Sequence, residues 1–293
     1  AAHLAPARAT VRLSSSGLTC NTFGIGLFFA RLARSGWNAL RRDRRACCNQ
    51  LLFHHFAEHR MTPAAIKKAL LSTAYPYWEA EAEIAKRFYA TATKDGHIHY
   101  LRAQLWKELH PVDGYFNGLH RELANLVEMF PRVEQDVDRH QFHFLMMQLT
   151  QEFNHYVVLA DILEHLLGRK ISAADTNQLP EEKKLGDLRR RLVESGSPLD
   201  RAAVGLTEGG GARLFREGAK LRGSRLNKMT AKAMQVIYDD EKDHYDVMAR
   251  DASGLIKKPK DLARIQESVR AVSTQRVAMR NEMFGHPMSE SEI

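Results

Sequence analysis

Cysteine is scarce in this sequence and is confined to one end of it. The chain of 293 residues has three cysteines, and all of them lie near the start, at Cys20, Cys47 and Cys48. The rest of the chain therefore offers no thiol nucleophile and no disulfide, and it needs no oxidising compartment. A cytoplasmic location is the resulting expectation.

Long apolar runs and strand-like alternation are lacking as well. The apolar stretch 23–30 is far shorter than the ~20 residues that a membrane-spanning helix needs. No segment sustains alternation of apolar and polar residues, no internal repeat is present, and no Gly-rich phosphate-binding motif follows a strand. We therefore expect an all-α fold with no association with a membrane.

Acidic residues are missing before Asp43, and this absence accounts for most of the basic character of the chain. The net charge is +8, but residues 1–60 hold nine Arg against two acidic residues, which is +7 and leaves +1 for residues 61–293. The main body is nearly neutral, so its charge gives no case for nucleic-acid binding.

Residues 1–60 are predicted to be a separate, disordered, basic extension. Three interpretations stay open for it: a leader that is not part of the native protein, an organellar transit peptide, or an arm that binds a partner. The protein is organellar only under the second interpretation. Residues 61–293, from Met61 onward, are predicted to form one helical domain.

Helical periodicity and cap signals divide this domain into helices. Thr62-Pro63 predicts the start of the first helix, and Asp138 with Gln141 predicts the start of another. The predicted helices cover 63–93 with a bend at Pro76, 97–130 with an interruption near 110–111, 138–168, a short charged segment before 195, 199–221, 226–252 and 259–283.

Two Glu-x-x-His pairs fall inside predicted helices. They are Glu152/His155 and Glu241/His244. Residues three apart share a helix face, so each pair presents a carboxylate and an imidazole to the same point, a donor set suited to a first-row transition metal. With 14 His in 293 residues, roughly one such pair is expected by chance, so the pairs gain weight only from the carboxylates placed with them.

Glu208 is the candidate partner of the second pair. It lies 15 residues before Gly223, and Glu241 lies 16 residues after Arg225. Two antiparallel helices joined at this turn would bring both carboxylates to one level. Gly209, Gly210 and Gly211 then follow Glu208. They predict either a kink or true helix start, or a close approach of another group to the metal site.

Two residues compete as the carboxylate partner of the first pair. Glu122 lies on an apolar stripe and precedes Glu152 by 30 residues, close to the 33 that separate Glu208 from Glu241. Glu81 also lies on an apolar face, and in an up-down-up arrangement of the first three helices it would reach the level of Glu152. Spacing favours Glu122, and both alternatives stay open.

The order Glu, Glu-x-x-His, Glu, Glu-x-x-His resembles the motif of the ferritin-like di-iron carboxylate superfamily. The matching residues are Glu122 or Glu81, then Glu152 and His155, Glu208, and Glu241 and His244, and the resemblance covers about residues 75–250 as spacing rather than extended identity. It implies a four-helix core with flanking helices and a site for two Fe ions, or Mn.

The resemblance is closer to the oxygen-activating members than to the storage ferritins. It implies an oxygenase or oxidase that uses dioxygen to oxidise a small organic substrate; an iron-oxidising or storage protein and a non-catalytic helical interaction protein are the alternatives. Asp240 or Asp243 could orient a ligating imidazole, although both belong to an acidic run that is more typical of a solvated surface. Arg189–Arg191 and the stripe Arg213/Arg216/Lys220 offer docking positions for an electron-donor protein, and a homodimer stays open.

Overall fold

Helices make up 81% of the chain that the computed structural model describes, which is residues 61–112 and 118–293. No β-strand occurs in these two ranges, so the predicted all-α class is confirmed. The helices are α1 (Pro63–Thr91), α2 (Lys94–Leu109), α3 (Leu119–Met129), α4 (Arg139–Leu167), α5 (Pro180–Glu194), α6 (Pro198–Leu206), α7 (Glu208–Ala219), α8 (Arg225–Glu241), α9 (His244–Leu255) and α10 (Pro259–Phe284).

Every described residue belongs to one compact unit, residues 59–293. The predictions for the basic extension 1–60 therefore lie outside the described residues. Within the described ranges, no helix combines the length and the apolarity of a membrane span.

Side-chain caps set the starts of the helices that carry the predicted signals. Thr62 accepts a hydrogen bond from the backbone N–H of Ala65 at 3.2 Å, with Pro63 in the first helical position. Asp138 accepts a hydrogen bond from the N–H of His140 at 2.8 Å and so caps the start of α4, and Gly168, with a φ of 68°, follows its last residue. Helix α1 continues through Pro76 and ends at Thr91.

Two helices that were predicted as continuous are each interrupted once. The prediction of one helix over 199–221 is wrong because Thr207 separates α6 from α7. Its side-chain hydroxyl donates a hydrogen bond to the carbonyl of Val204 at 2.7 Å, and its backbone N–H donates to the same carbonyl. The prediction of one helix over 226–252 is wrong because Asp243, with a φ of −109°, departs from helical geometry between α8 and α9. Both interruptions adjoin predicted metal ligands.

Helix α1 lies at the centre of the packing and contacts α7, α9 and α10. Its first half belongs to one apolar core with Leu206, Met248 and Ile265, and its second half to another core with Leu163 and Met234. Four helices pack on one another in order, α2 on α4, α4 on α8, and α8 on α7. This helical bundle brings the polar side chains described next together in its interior; its ferritin-like topology stays a prediction.

Candidate metal centre

Three side chains from α2 and α4 form the first group. Glu152 and His155 lie one turn apart on α4, and Glu108 lies at the end of α2. The Nδ1 atom of His155 is 3.7 Å from Oε2 of Glu152 and 3.9 Å from Oε2 of Glu108. All three are buried, with exposed fractions of 8%, 1% and 4% for Glu152, His155 and Glu108. One ligand atom from each lies within 4.8 Å of the others, a separation that a single ion could bridge.

A second group combines Glu208, Glu241 and His244. Glu208 is the first residue of α7, Glu241 is the last residue of α8, and His244 is the first residue of α9. The Nδ1 atom of His244 is 3.1 Å from Oε2 of Glu241 and 3.7 Å from Oε2 of Glu208. The turn after α7, where Gly223 has a φ of 98°, sets Glu208 and Glu241 at one level. The interruption at Asp243 leaves the side chains of Glu241 and His244 on the same side.

Glu241 connects the two groups. Its Oε2 atom faces His244 at 3.1 Å, and its Oε1 atom lies 3.8 Å from Nδ1 of His155 in the first group. A carboxylate with one oxygen toward each imidazole has the orientation of a ligand shared between two ions. The two groups therefore form one centre with four carboxylates and two imidazoles, a donor set typical of di-iron and di-manganese bundles.

Asp240 sets the orientation of the His155 ring. Its Oδ2 atom is 3.1 Å from Nε2 of His155, while Gln151 donates its side-chain N–H to the other oxygen at 3.3 Å. The ring nitrogen that faces the carboxylates is therefore Nδ1, with Nε2 engaged outside the centre. Such a carboxylate behind a histidine fixes its tautomer and raises its basicity toward a metal. Of the two aspartates considered from the sequence, Asp240 takes this position, with 24% of its side chain exposed.

The concentration of carboxylates changes the acid–base properties of the centre. Burial by itself would lower the pKa of His155, but hydrogen bonds to Asp240 and Glu152 and the charge of Glu108 raise that pKa to about 11. The pKa of His244 is lowered by burial and raised more strongly by Glu241 and Glu208, to about 9. Burial raises the pKa of Glu241, and the two imidazoles lower it further than burial raises it. The centre therefore attracts positive charge, whether as protons or as metal ions.

Neither sequence candidate for the lone carboxylate of the first pair lies in these groups. Glu122 is on helix α3, which packs on α4, and its carboxylate is not among the three ligand atoms of either group. Glu108 stands in the first group where Glu122 was expected. Glu81 is buried as its apolar surroundings predicted, with an exposed fraction of 1%, but its carboxylate is engaged by arginines. The structure brings together Glu152, His155, Glu208, Glu241 and His244, all of which the sequence singled out.

A buried chain of hydrogen bonds runs from Glu81 to the centre. Arg276 donates to both oxygens of Glu81 at 2.8 and 2.9 Å, and Arg280 donates to Oε2 at 3.1 Å. Burial raises the pKa of Glu81, but these guanidinium groups bring it below its ordinary value. Arg280 also donates to Gln104 at 2.8 Å, and Gln104 donates to Oε1 of Glu108. The arginines thus neutralise Glu81 and support the carboxylate of Glu108.

The glycines after Glu208 allow α7 to approach α1 closely. A Cβ atom at Gly210 would lie 1.9 Å from Oε1 of Glu81, and one at Gly209 would lie 2.6 Å from the ring of Trp78. Of the two sequence interpretations, the helix start applies, since α7 begins at Glu208. The close approach is to Trp78 and Glu81 on α1 rather than to the metal site. The approaching groups are side chains of this chain.

A cavity of about 50 Å³ lies against the centre, with Glu108, Glu152, His155, Glu208 and Glu241 in its wall. Arg189 also lines it, buried to 4% exposure and donating to the carbonyl of Val112 at 2.9 Å. Since liquid water occupies roughly 30 Å³ per molecule, the space suits ions and very small molecules. Arg189 is consequently unavailable for docking a partner at the surface, which removes one of the positions considered from the sequence.

Glu108 is the ligand candidate that sequence reasoning missed. It follows Leu101 and Leu105 at helical spacing on the buried face of α2, which is a signal that the sequence does contain. It lies beside the predicted interruption near 110–111, and no spacing in the sequence linked it to either Glu-x-x-His pair.

Comparison of the chain with protein-family models, with curated proteins and with solved structures returned no match. The geometry of the centre therefore carries the functional reasoning.

Proposed function

We propose that this protein is a di-metal carboxylate oxygenase or oxidase that uses two iron ions, with manganese as the alternative metal, to oxidise a small organic substrate with dioxygen. The observation that carries the proposal is the shared carboxylate of Glu241 between two groups of identical composition, each with two carboxylates and one imidazole. Such mixed oxygen and nitrogen donors suit iron and manganese, whereas zinc in structural sites more often takes thiolates.

The donor set fits metal ions on physical grounds. Four glutamates converge at a largely buried cavity, and burying carboxylates without compensating cations is costly. Arg276 and Arg280 are already engaged by Glu81, so they offset only part of this charge. Two divalent cations would balance the four carboxylates of the centre.

Each side chain then has a defined task. Glu108, Glu152 and His155 would hold one ion, Glu208 and His244 the other, and Glu241 both. When bound, the pair of ions would supply the redox chemistry that activates dioxygen. Asp240 keeps Nδ1 of His155 aimed inward and retains the proton on Nε2. The packed helices exclude bulk water from the centre, and the small adjoining cavity admits dioxygen while a substrate approaches from its rim.

Metal analysis of the full-length protein tests the proposal. Purified and reloaded protein is expected to hold about two iron or manganese ions per chain. Glu241→Ala is expected to lose both ions, because both groups use this carboxylate, and Glu208→Ala to lose one. Glu122→Ala serves as the matched control, since it removes a glutamate outside the centre and should retain both.

Aerobic loading with Fe(II) separates the oxygenase from its alternatives. An oxygenase stops consuming Fe(II) at about two ions per chain, whereas a storage protein continues far beyond this number. A helical interaction protein binds no stoichiometric metal at all. Unchanged metal content in both Glu152→Ala and Glu241→Ala would refute the assignment of the centre itself.

A further inference from the structure

Helices α3 and α4 present an apolar surface to solvent on the side away from the metal centre. The exposed fractions of its large apolar side chains range from 39% to 69%. Its members are Leu123, Val127 and Phe130 from α3 and its end, and Met146, Met147, Phe153 and Val157 from α4. We call these seven residues the α3–α4 face. Patches of this kind on soluble proteins mark interaction sites when they exceed a few hundred Å².

The area of this face matches what a stable protein interface needs. Seven side chains of roughly 200 Å² each, about half exposed, offer roughly 700 Å². A standard interface buries about 800 Å² on each partner. A partner subunit of similar breadth would cover the face, whereas a short peptide would leave much of it in water.

Charge along α4 favours a second copy of this chain as the partner. Between Arg139 and Asp161, both exposed, the only acidic residue is Glu152, and no Lys or Arg occurs. Glu152 points to the metal centre and is buried. The α4 part of the face, which has no exposed charge between these ends, does not repel a copy of itself, and the opposite charges at its ends would attract in an antiparallel arrangement.

The positions along α4 are also self-complementary. Arg139 and Asp161 lie eleven residues on either side of Thr150, and Met147 and Phe153 lie three residues on either side. An antiparallel two-fold axis at Thr150 would therefore place Met147 of one protomer on Phe153 of the other. It would also bring each Arg139 to an Asp161, about 33 Å apart along one helix. Such isologous pairing is the commonest form of a homodimer.

We infer that the protein forms a two-fold homodimer through the α3–α4 face, with antiparallel α4 helices crossing at Thr150. The ligands Glu152 and His155 lie on the opposite side of the same helix, so the dimer would stiffen one wall of the centre. The inference does not depend on the proposed function, because the face and its charge pattern exist without any metal.

Sedimentation or light scattering of the full-length chain provides the first test. The expected mass is twice 33.3 kDa at micromolar concentration. Phe153→Glu places a charge in the interface twice and should shift the protein to monomer. Tyr75→Glu is the matched control: it also replaces a half-exposed aromatic, but on α1, where Arg213 lies over the ring, and it should stay dimeric. Circular dichroism checks that both variants keep their helices.

A cross-linking test addresses the position of the axis without a disruptive change. In a background where Cys20, Cys47 and Cys48 are replaced by Ser, Thr150→Cys should form a disulfide-linked dimer under oxidation. Thr91→Cys, an exposed threonine on α1, should not. A monomeric wild type overturns the inference. This holds even if hydrogen exchange shows that α3 and α4 are protected, because in a monomer the protection must come from another segment of the same chain. A dimer that survives Phe153→Glu or cross-links only through Thr91→Cys overturns it equally.

Discussion

Replacing Gly210 by alanine should destabilise the protein, although alanine is the better helix former. Gly210 is inside α7, where Gly→Ala normally stabilises by about 1 kcal/mol. The added Cβ, however, would lie 1.9 Å from Oε1 and 2.5 Å from Cδ of Glu81. That carboxylate cannot turn away freely, because Arg276 and Arg280 hold both of its oxygens.

The magnitude follows from the two responses open to the structure. If α7 moves away from α1, overpacking costs typically about 1–3 kcal/mol. If Glu81 leaves the arginines instead, breaking a buried ion pair costs about 3–5 kcal/mol. After subtraction of the helix-propensity gain of about 1 kcal/mol, the free energy of unfolding should fall by about 0–2 kcal/mol through the first response and by about 2–4 kcal/mol through the second. Since Glu208 is two residues away, the metal content of the variant should fall too.

Urea denaturation of the metal-free protein measures this effect, with Gly186→Ala as the matched control. Gly186 lies inside α5, and a Cβ there would meet nothing within 4 Å. The control should therefore gain about 0.5–1 kcal/mol, the ordinary propensity effect. Equal stability of Gly210→Ala and Gly186→Ala would refute the close packing of α7 on the Glu81 side chain.

Three further predictions concern ligands and charges. Glu108→Gln should reduce the bound metal from about two ions to about one, measured by elemental analysis, whereas Glu122→Gln should leave it unchanged; the opposite result would return the ligand role to Glu122. Asp240→Asn should weaken metal binding about 10–100-fold in a chelator competition, because the ring of His155 loses its orienting carboxylate; unchanged affinity would assign Asp240 a structural part only. Arg169 and the N–H of Ser172 lower the pKa of Asp175 in the folded state, so its contribution to stability is present above about pH 4 and is lost as the pH falls below that value. The difference in the free energy of unfolding between wild type and Asp175→Asn should accordingly become smaller as the pH is lowered. A difference that becomes larger would contradict this direction of the pH dependence.

Local sequence signals predicted the helices and much of the centre. The cap residues Thr62 and Asp138 and the turn at Gly223 are short-range features, and the structure confirms the helix starts and the level placement of Glu208 and Glu241 that were predicted from them. Five of the six glutamate and histidine side chains in the two groups could be chosen because pairs at helical spacing and counts from a turn depend only on nearby residues.

The failures have a different origin. Glu81 lies on an apolar face in the sequence, but the arginines that engage it are 195 and 199 residues away, so no local pattern reveals them. The sequence alone gives no reason to prefer Glu108 to Glu122. Which residue of α2 lies beside Glu152 on α4 depends on the path of the chain between these two helices. The interruption at Thr207 depends on its hydroxyl, which donates a hydrogen bond to the carbonyl of Val204. The side chain thus competes with the backbone for this carbonyl, and the spacing of apolar residues does not reveal such a bond.

The shared carboxylate of Glu241 has a consequence for how the centre fills. With one oxygen toward each imidazole, it cannot be fully oriented by one ion without being placed for the other. The first ion to bind would bear the cost of ordering this side chain, and the second would find it already placed. We therefore expect metal titration to be positively cooperative, with few half-filled molecules, so that the protein at limiting metal divides into empty and complete centres.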